Sequence, residues 1–137
     1  MKLDAQAVIL LVEDDPNDVF LMQRALKRAA ITNPLQVATD GQQAIDYLSG
    51  TGKFSDRTLH PLPDLIFLDL KLPYKSGFDV LKWIRHQPAL TSKDVMILTS
   101  SSEQRDVEEC NRLGIRSFLV KPPTPAMLSN LLKSLDG

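Results

Sequence analysis

Five short apolar runs recur along the chain at regular intervals: Val8–Val12, Leu35–Thr39, Leu65–Leu68, Val95–Thr99 and Ser117–Val120. Runs of this length, without strict alternation of polar and apolar positions, predict strands buried on both faces of a parallel sheet. The segments between them have a helical period instead. In the stretch from Val19 and Phe20 through Met22 to Ala25 and Leu26, apolar positions fall at three- and four-residue steps, the pattern of a helix packed on a sheet. Leu128, Leu131, Leu132 and Leu135 draw a similar stripe on the last helix. Start and stop signals support these boundaries. Asp15 before Pro16, and Thr124 before Pro125, pair an N-cap with proline at the first helical position. Gly114 ends the fourth helix. Strand alternating with helix implies right-handed crossovers, hence an α/β, doubly wound (βα)5 parallel sheet.

The 137 residues fit one domain, with a core about 8–135 and no repeats, linkers or low-complexity tracts. One segment breaks the rhythm. Gly50 to Pro63 holds two glycines and two prolines and reads as a long surface loop, either a tolerated insertion or a partner-binding element. Hydrophobic residues make up 43% and charged residues 24%, with a net charge of −1, so no global field draws the chain to nucleic acid or to a membrane. The first residues lack the apolar core of a signal peptide, and no run approaches transmembrane length. Cys110 is the single cysteine and excludes an internal disulfide, so the expected compartment is the cytoplasm.

The chemistry collects at the predicted strand ends. Asp69 closes the third run, where open α/β sheets place their ligands. Glu13, Asp14 and Asp15 follow the first run; with Asp15 occupied as an N-cap, Glu13 and Asp14 remain as an acidic pair. Two carboxylates about 4 Å apart repel by about 4 kcal/mol at an effective dielectric of about 20, which calls for a counter-charge. Mg2+ suits such a site, because it takes a few carboxylates, water and substrate phosphate. The acids, together with Lys71 through its backbone carbonyl, form the expected ligand set. Thr99 ends the fourth run and is expected to hydrogen-bond an anion over Asp69, because Ser102 is placed to cap the helix beginning near Glu103. Lys121 ends the fifth run. A lysine there is commonly a surface residue, but Pro122 fixes the turn, and a cis Lys121–Pro122 bond would aim its ammonium at Asp69. Acids, a hydroxyl and a lysine at four strand ends predict magnesium-assisted phosphoryl transfer.

On these residues the chain resembles the response-regulator receiver domains of two-component signalling, from Val8 to Leu135. The resemblance implies a flavodoxin-like fold with strand order 2-1-3-4-5. It implies that Asp69 accepts the phosphoryl group, that Glu13, Asp14 and Asp69 hold Mg2+, and that Lys121 pairs with the phosphoryl oxygens. Thr99 falls at the switch hydroxyl and Phe118 at the aromatic switch position. Lys71 and Ser101 occupy positions that tune dephosphorylation. The long 50–63 loop and the phrase after Phe67 resemble the small single-domain regulators paired with bacterial and cyanobacterial phytochrome kinases. No output domain is expected within the 137 residues, so output passes through protein contacts or by relay of the phosphoryl group.

Competing readings fail on particular residues. A haloacid-dehalogenase-type phosphatase needs a second Asp two residues past the nucleophile, where Lys71 stands. A flavodoxin-like FMN binder needs a phosphate loop that Glu13, Asp14 and Asp15 would repel. A phosphorylation-independent docking receiver, or a phosphorelay intermediate, shares the fold and is the remaining alternative. The expectation is therefore a regulator rather than an enzyme, catalysing only its own phosphorylation and dephosphorylation, with a sensor histidine kinase as partner. The apolar excess on the last helix (Met127, Leu128, Leu131, Leu132, Leu135), with Phe118, Cys110 and Leu113, predicts a homodimer through the face of the fourth helix, fifth strand and fifth helix.

Overall fold

The apolar runs become five parallel strands: β1 (Ile9–Val12), β2 (Leu35–Ala38), β3 (Leu65–Leu68), β4 (Asp94–Thr99) and β5 (Ser117–Val120). They pair in the order β2-β1-β3-β4-β5, as expected. The computed structural model describes residues 6–100 and 104–136, and the side chains of 6–100 and 106–134. Ser101, Ser102 and Glu103, with the expected cap and tuning position, lie outside the described residues, as does the side chain of Leu135. Register brings Val12, Leu68 and Ile97 level across the three central strands.

Helices α1 (Pro16–Arg28), α2 (Gly41–Ser49), α3 (Gly77–Arg85) and α4 (Gln104–Arg112) fill the four crossovers, and α5 (Pro125–Asp136) follows β5. The predicted caps form: the Asp15 side chain accepts from the Asn17 amide at 2.9 Å, and the Thr124 hydroxyl accepts from the Met127 amide at 3.1 Å. Gly114 sits at φ 76° beyond α4, a conformation that favours glycine. Because successive strand residues point to opposite faces, the core divides in two. Ile9, Leu11, Phe67, Met96 and Leu98 pack with Met22 and Leu26 of α1 and Leu128 and Leu131 of α5. Leu10, Val12, Ile66, Leu68 and Ile97 meet Leu48 of α2, Ile84 of α3 and Cys110 of α4. The edge strands are less covered, and Val120 of β5 is 43% exposed.

Three expectations are corrected. Phe20, taken as part of the α1 stripe, is 58% exposed. At 100° per residue it stands roughly opposite the direction shared by Val19, Met22 and Leu26. Cys110 is fully buried, and Leu128 and Leu131 are core residues, so none of the three is available to a dimer surface. The 50–63 segment is more than a surface loop. It contains a 3₁₀ turn, Gly52–Phe54, whose Phe54 is buried 5.2 Å from the Tyr47 ring. The Tyr47 hydroxyl donates to the Pro61 carbonyl at 2.7 Å. The Arg57 guanidinium donates to the carbonyls of Tyr47 (2.7 Å), Leu48 (2.9 Å) and His60 (3.1 Å). Arg57 thus satisfies the Leu48 carbonyl at the carboxyl end of α2 and joins the Gly50 amide on the Tyr47 carbonyl.

Candidate functional site

Parallel pairing sends every strand's carboxyl end to one edge of the sheet. The residue after each strand stays tied to its neighbour: the Asp69 amide donates to Val12 O at 3.2 Å, the Glu13 amide to Ala38 O at 2.9 Å, and the Lys121 amide to Thr99 O at 2.8 Å. Side chains that are far apart in sequence therefore converge. Glu13, Asp69 and Thr99 are the buried polar residues among those described, while Asp14 is exposed beside them. Charged groups are rarely buried unless paired.

Lys121 supplies the pairing. Its ammonium donates to Asp69 Oδ2 at 2.8 Å, to Asp18 Oδ2 at 2.8 Å and to Glu13 Oε1. Burial by itself would lower the ammonium's pKa; hydrogen bonds to Asp18, Asp69 and Glu13 outweigh it and hold Lys121 above the ordinary lysine range. Glu13 is raised as well, in its case against the charged form. Its burial raises the carboxyl's pKa, and the hydrogen bonds from Lys121 and the Asp15 amide only partly oppose that, with Asp69 adding repulsion. The free oxygens are also committed: Asp69 Oδ1 accepts from the Lys71 amide at 3.1 Å, and Glu13 Oε2 from the Asp15 amide at 3.1 Å. The Lys121–Pro122 bond is cis.

One oxygen from each of Glu13, Asp14 and Asp69 lies within 4.8 Å of the others. Oxygen-only donors of like charge fit a hard divalent cation and offer nothing to a soft one. Lys71, whose side chain is exposed, approaches Asp69 through its main chain. Thr99 is fully buried at the end of β4. Phe118 of β5 is half-buried and packs against the core beneath α4. Glu13, Asp14, Asp69 and Lys121 thus gather at one edge, with Thr99 at the end of the neighbouring strand and Phe118 further back on β5.

Two residues of the site escaped the sequence reading. Asp18 lies in the first turn of α1, three residues past the Asp15 cap, where an acid in sequence reads only as compensation of the helix dipole. Gly77 opens α3 behind the Ser76 cap, and a Cβ there would stand 2.1 Å from the Asp69 carbonyl oxygen and 2.6 Å from Leu70 Cα. The return of the β3–α3 loop onto Asp69 requires glycine. A glycine at a helix start that already has a serine cap is the signal that could have revealed it.

Comparison with known proteins agrees with this geometry. The family model described as "Response regulator receiver domain" matches residues 9–133. Response regulator Rcp1 from Synechocystis sp. is 37% identical over 130 residues, covering 95% of this chain and 84% of its own length. Among solved structures, the bacteriophytochrome response regulator RtBRR superposes with a TM-score of 0.85 at 40% identity, over 95% of this chain and 78% of that one. The Mn2+-bound form of response regulator Rcp1 superposes with a TM-score of 0.78 at 35% identity, over 95% and 91% respectively. Among the described residues no helix is long and apolar enough to cross a membrane. A match over nearly the whole chain, in sequence and in fold, leaves one conclusion: this chain belongs to the response regulator receiver domains.

Proposed function

We propose that the chain is a phosphorylation-controlled response regulator that takes a phosphoryl group from a sensor histidine kinase onto Asp69. The observation that carries this reading is a buried carboxylate at the end of the central strand, with one ammonium on it and two further acids beside it. An Asp69 oxygen attacks the phosphorus of phosphohistidine, the phosphorus–nitrogen bond breaks, and the imidazole leaves with the electron pair. Lys121 is positioned to donate to the phosphoryl oxygens as charge builds on them. Glu13, Asp14, Asp69 and the Lys71 carbonyl are the residues that would hold Mg2+, which supplies neutralisation of the phosphoryl charge. Water later hydrolyses the aspartyl phosphate, so the chemistry is confined to the chain's own modification.

Thr99 then turns to the phosphoryl group and Phe118 turns inward, biasing a two-state equilibrium of the α4–β5–α5 face. The exposed Val120 on edge strand β5 supports a second copy binding this face. The likeness to the bacteriophytochrome response regulator RtBRR supports a phytochrome as the partner kinase. Phe20, exposed beside the acids in a pocket of about 270 Å³ with Val19 and Val37, offers such a kinase apolar contact.

Acetyl phosphate with Mg2+, followed by intact-protein mass spectrometry, tests the acceptor. One phosphoryl adduct is expected on the native chain and none on Asp69→Asn. An adduct of equal yield on the folded Asn variant overturns the assignment.

A further inference from the structure

Asp18 has no part in the roles given so far, yet it is bonded to Lys121 as closely as Asp69 is, at 2.8 Å. An ammonium has three N–H donors, and Glu13, Asp18 and Asp69 occupy all three. Asp18 lies outside the trio of acids whose oxygens gather for a cation. Its side chain is 30% exposed, against 8% for Asp69 and 2% for Glu13. Placement in the first turn of α1 gives any acid some benefit from the helix dipole. That benefit needs no contact with Lys121. A further carboxylate also repels the phosphoryl group that the site must admit, so its presence against the ammonium calls for a second effect. Lysine's flexible four-carbon stem leaves its charge free to wander unless it is held from more than one side.

We infer that Asp18 is a positioning residue for phosphoryl uptake: with Glu13 it anchors the Lys121 ammonium from the α1 side, so that the remaining N–H faces Asp69, where the phosphoryl oxygens arrive. The inference deepens the proposed function and rests on it. With acetyl phosphate as donor, an Asp69 oxygen bonds the phosphorus, the phosphorus–oxygen bond to acetate breaks, and acetate leaves with the electron pair. Asp18 and Lys121 exchange no atoms in this step. Hydrogen bonds to Asp18, Asp69 and Glu13 are what keep the buried ammonium charged against desolvation. The chain separation between Asp18 and Lys121 means that only the docking of α1 beside the β5–α5 connection brings them together.

The test measures single-turnover phosphorylation by acetyl phosphate across donor concentrations, at saturating Mg2+. Asp18→Ala is expected to lower the maximal rate about tenfold, the scale set by one charge-assisted hydrogen bond. Asp18→Asn keeps an acceptor oxygen for Lys121 while removing a negative charge, so it should retain most of the maximal rate and half-saturate at lower donor concentration. In a Lys121→Ala background, Asp18→Ala should change the residual rate no further. A native maximal rate in Asp18→Ala overturns the inference, as does a tenfold loss that persists without Lys121. Asp18→Asn losing as much as Asp18→Ala overturns it too. The Lys121 ammonium resonance, observed by ¹H–¹⁵N NMR in the metal-free protein, gives a readout independent of turnover. It should be visible in the native chain and broadened by faster hydrogen exchange in Asp18→Ala. Should the native chain take no label, the Asp69 reading falls and this resonance alone decides Asp18; an unchanged signal overturns its role.

Discussion

The two edges of the sheet use charged side chains in opposite ways. At the amino edge, cations are joined to backbone. Arg57 donates to three carbonyls at the end of α2 and in the following loop, and Arg85 donates to Leu113 O at 2.7 Å and Gly114 O at 2.6 Å. Lys93 pairs with Asp64 at 2.9 Å between the starts of β3 and β4. The two arginines satisfy carbonyls at helix ends and turns, and Lys93 meets a single opposite charge, so charge there works for stability. At the carboxyl edge, Glu13, Asp18 and Asp69 crowd around one ammonium, with Asp14 beside Glu13 and Asp69. With Glu13 raised by burial, its ionisation at neutral pH works against folding: the favourable contribution is present below the unfolded carboxyl value and is lost as pH rises through the folded one. The lesson is that this fold keeps an electrostatic imbalance at one edge, which a bound cation would relieve, and none at the other.

The largest effect that would break this comparison comes from Gly77→Ala. The new methyl would meet Asp69 O and Leu70 Cα, which are backbone atoms and unable to swing aside. A loss of roughly 3 kcal/mol or more in urea unfolding is expected, together with lost phosphoryl uptake in whatever fraction stays folded. Wild-type stability and uptake in this variant would mean that the β3–α3 loop does not set the position of Asp69.

Arg57→Ala separates the edges more cleanly. Removing the donor to the Leu48 and His60 carbonyls, and one of two donors to the Tyr47 carbonyl, should cost about 2–3 kcal/mol in denaturant unfolding. Labelling of Asp69 by acetyl phosphate should be unchanged at temperatures where the variant is folded. A slowed reaction there would couple the two edges and undo the division drawn above.

The smallest effect sharpens the other half. Asp14→Asn removes one of the crowded acids, so the metal-free chain should melt slightly higher than the native one. Millimolar Mg2+ should raise the melting temperature of the native chain by mass action and have little effect on the variant. Equal responses to Mg2+ would remove Asp14 from the ligand set.

Much of this was legible in the residues alone. Runs such as Leu65–Leu68, the Asp15–Pro16 and Thr124–Pro125 starts, and acids ending β1 and β3 are local signals: period, cap and turn chemistry act over a few residues and survive into the fold unchanged. Asp69, Lys121, Glu13, Asp14 and Thr99 could be placed together because parallel strands must end on one edge. What the tertiary structure decided is which side chain meets which. Phe20 faces solvent and Cys110 the core because helix rotation is set by packing on the sheet, and a short apolar stripe leaves it open by a residue or more. Arg57 closes the end of α2 only once the 50–63 segment folds back under Phe54 and Tyr47. Asp18 reads in sequence as one more acid in a first helical turn; only the approach of α1 to the β5–α5 connection makes it a ligand of Lys121. Such contacts depend on three-dimensional docking of distant segments, to which propensity and period, being properties of near neighbours, are blind.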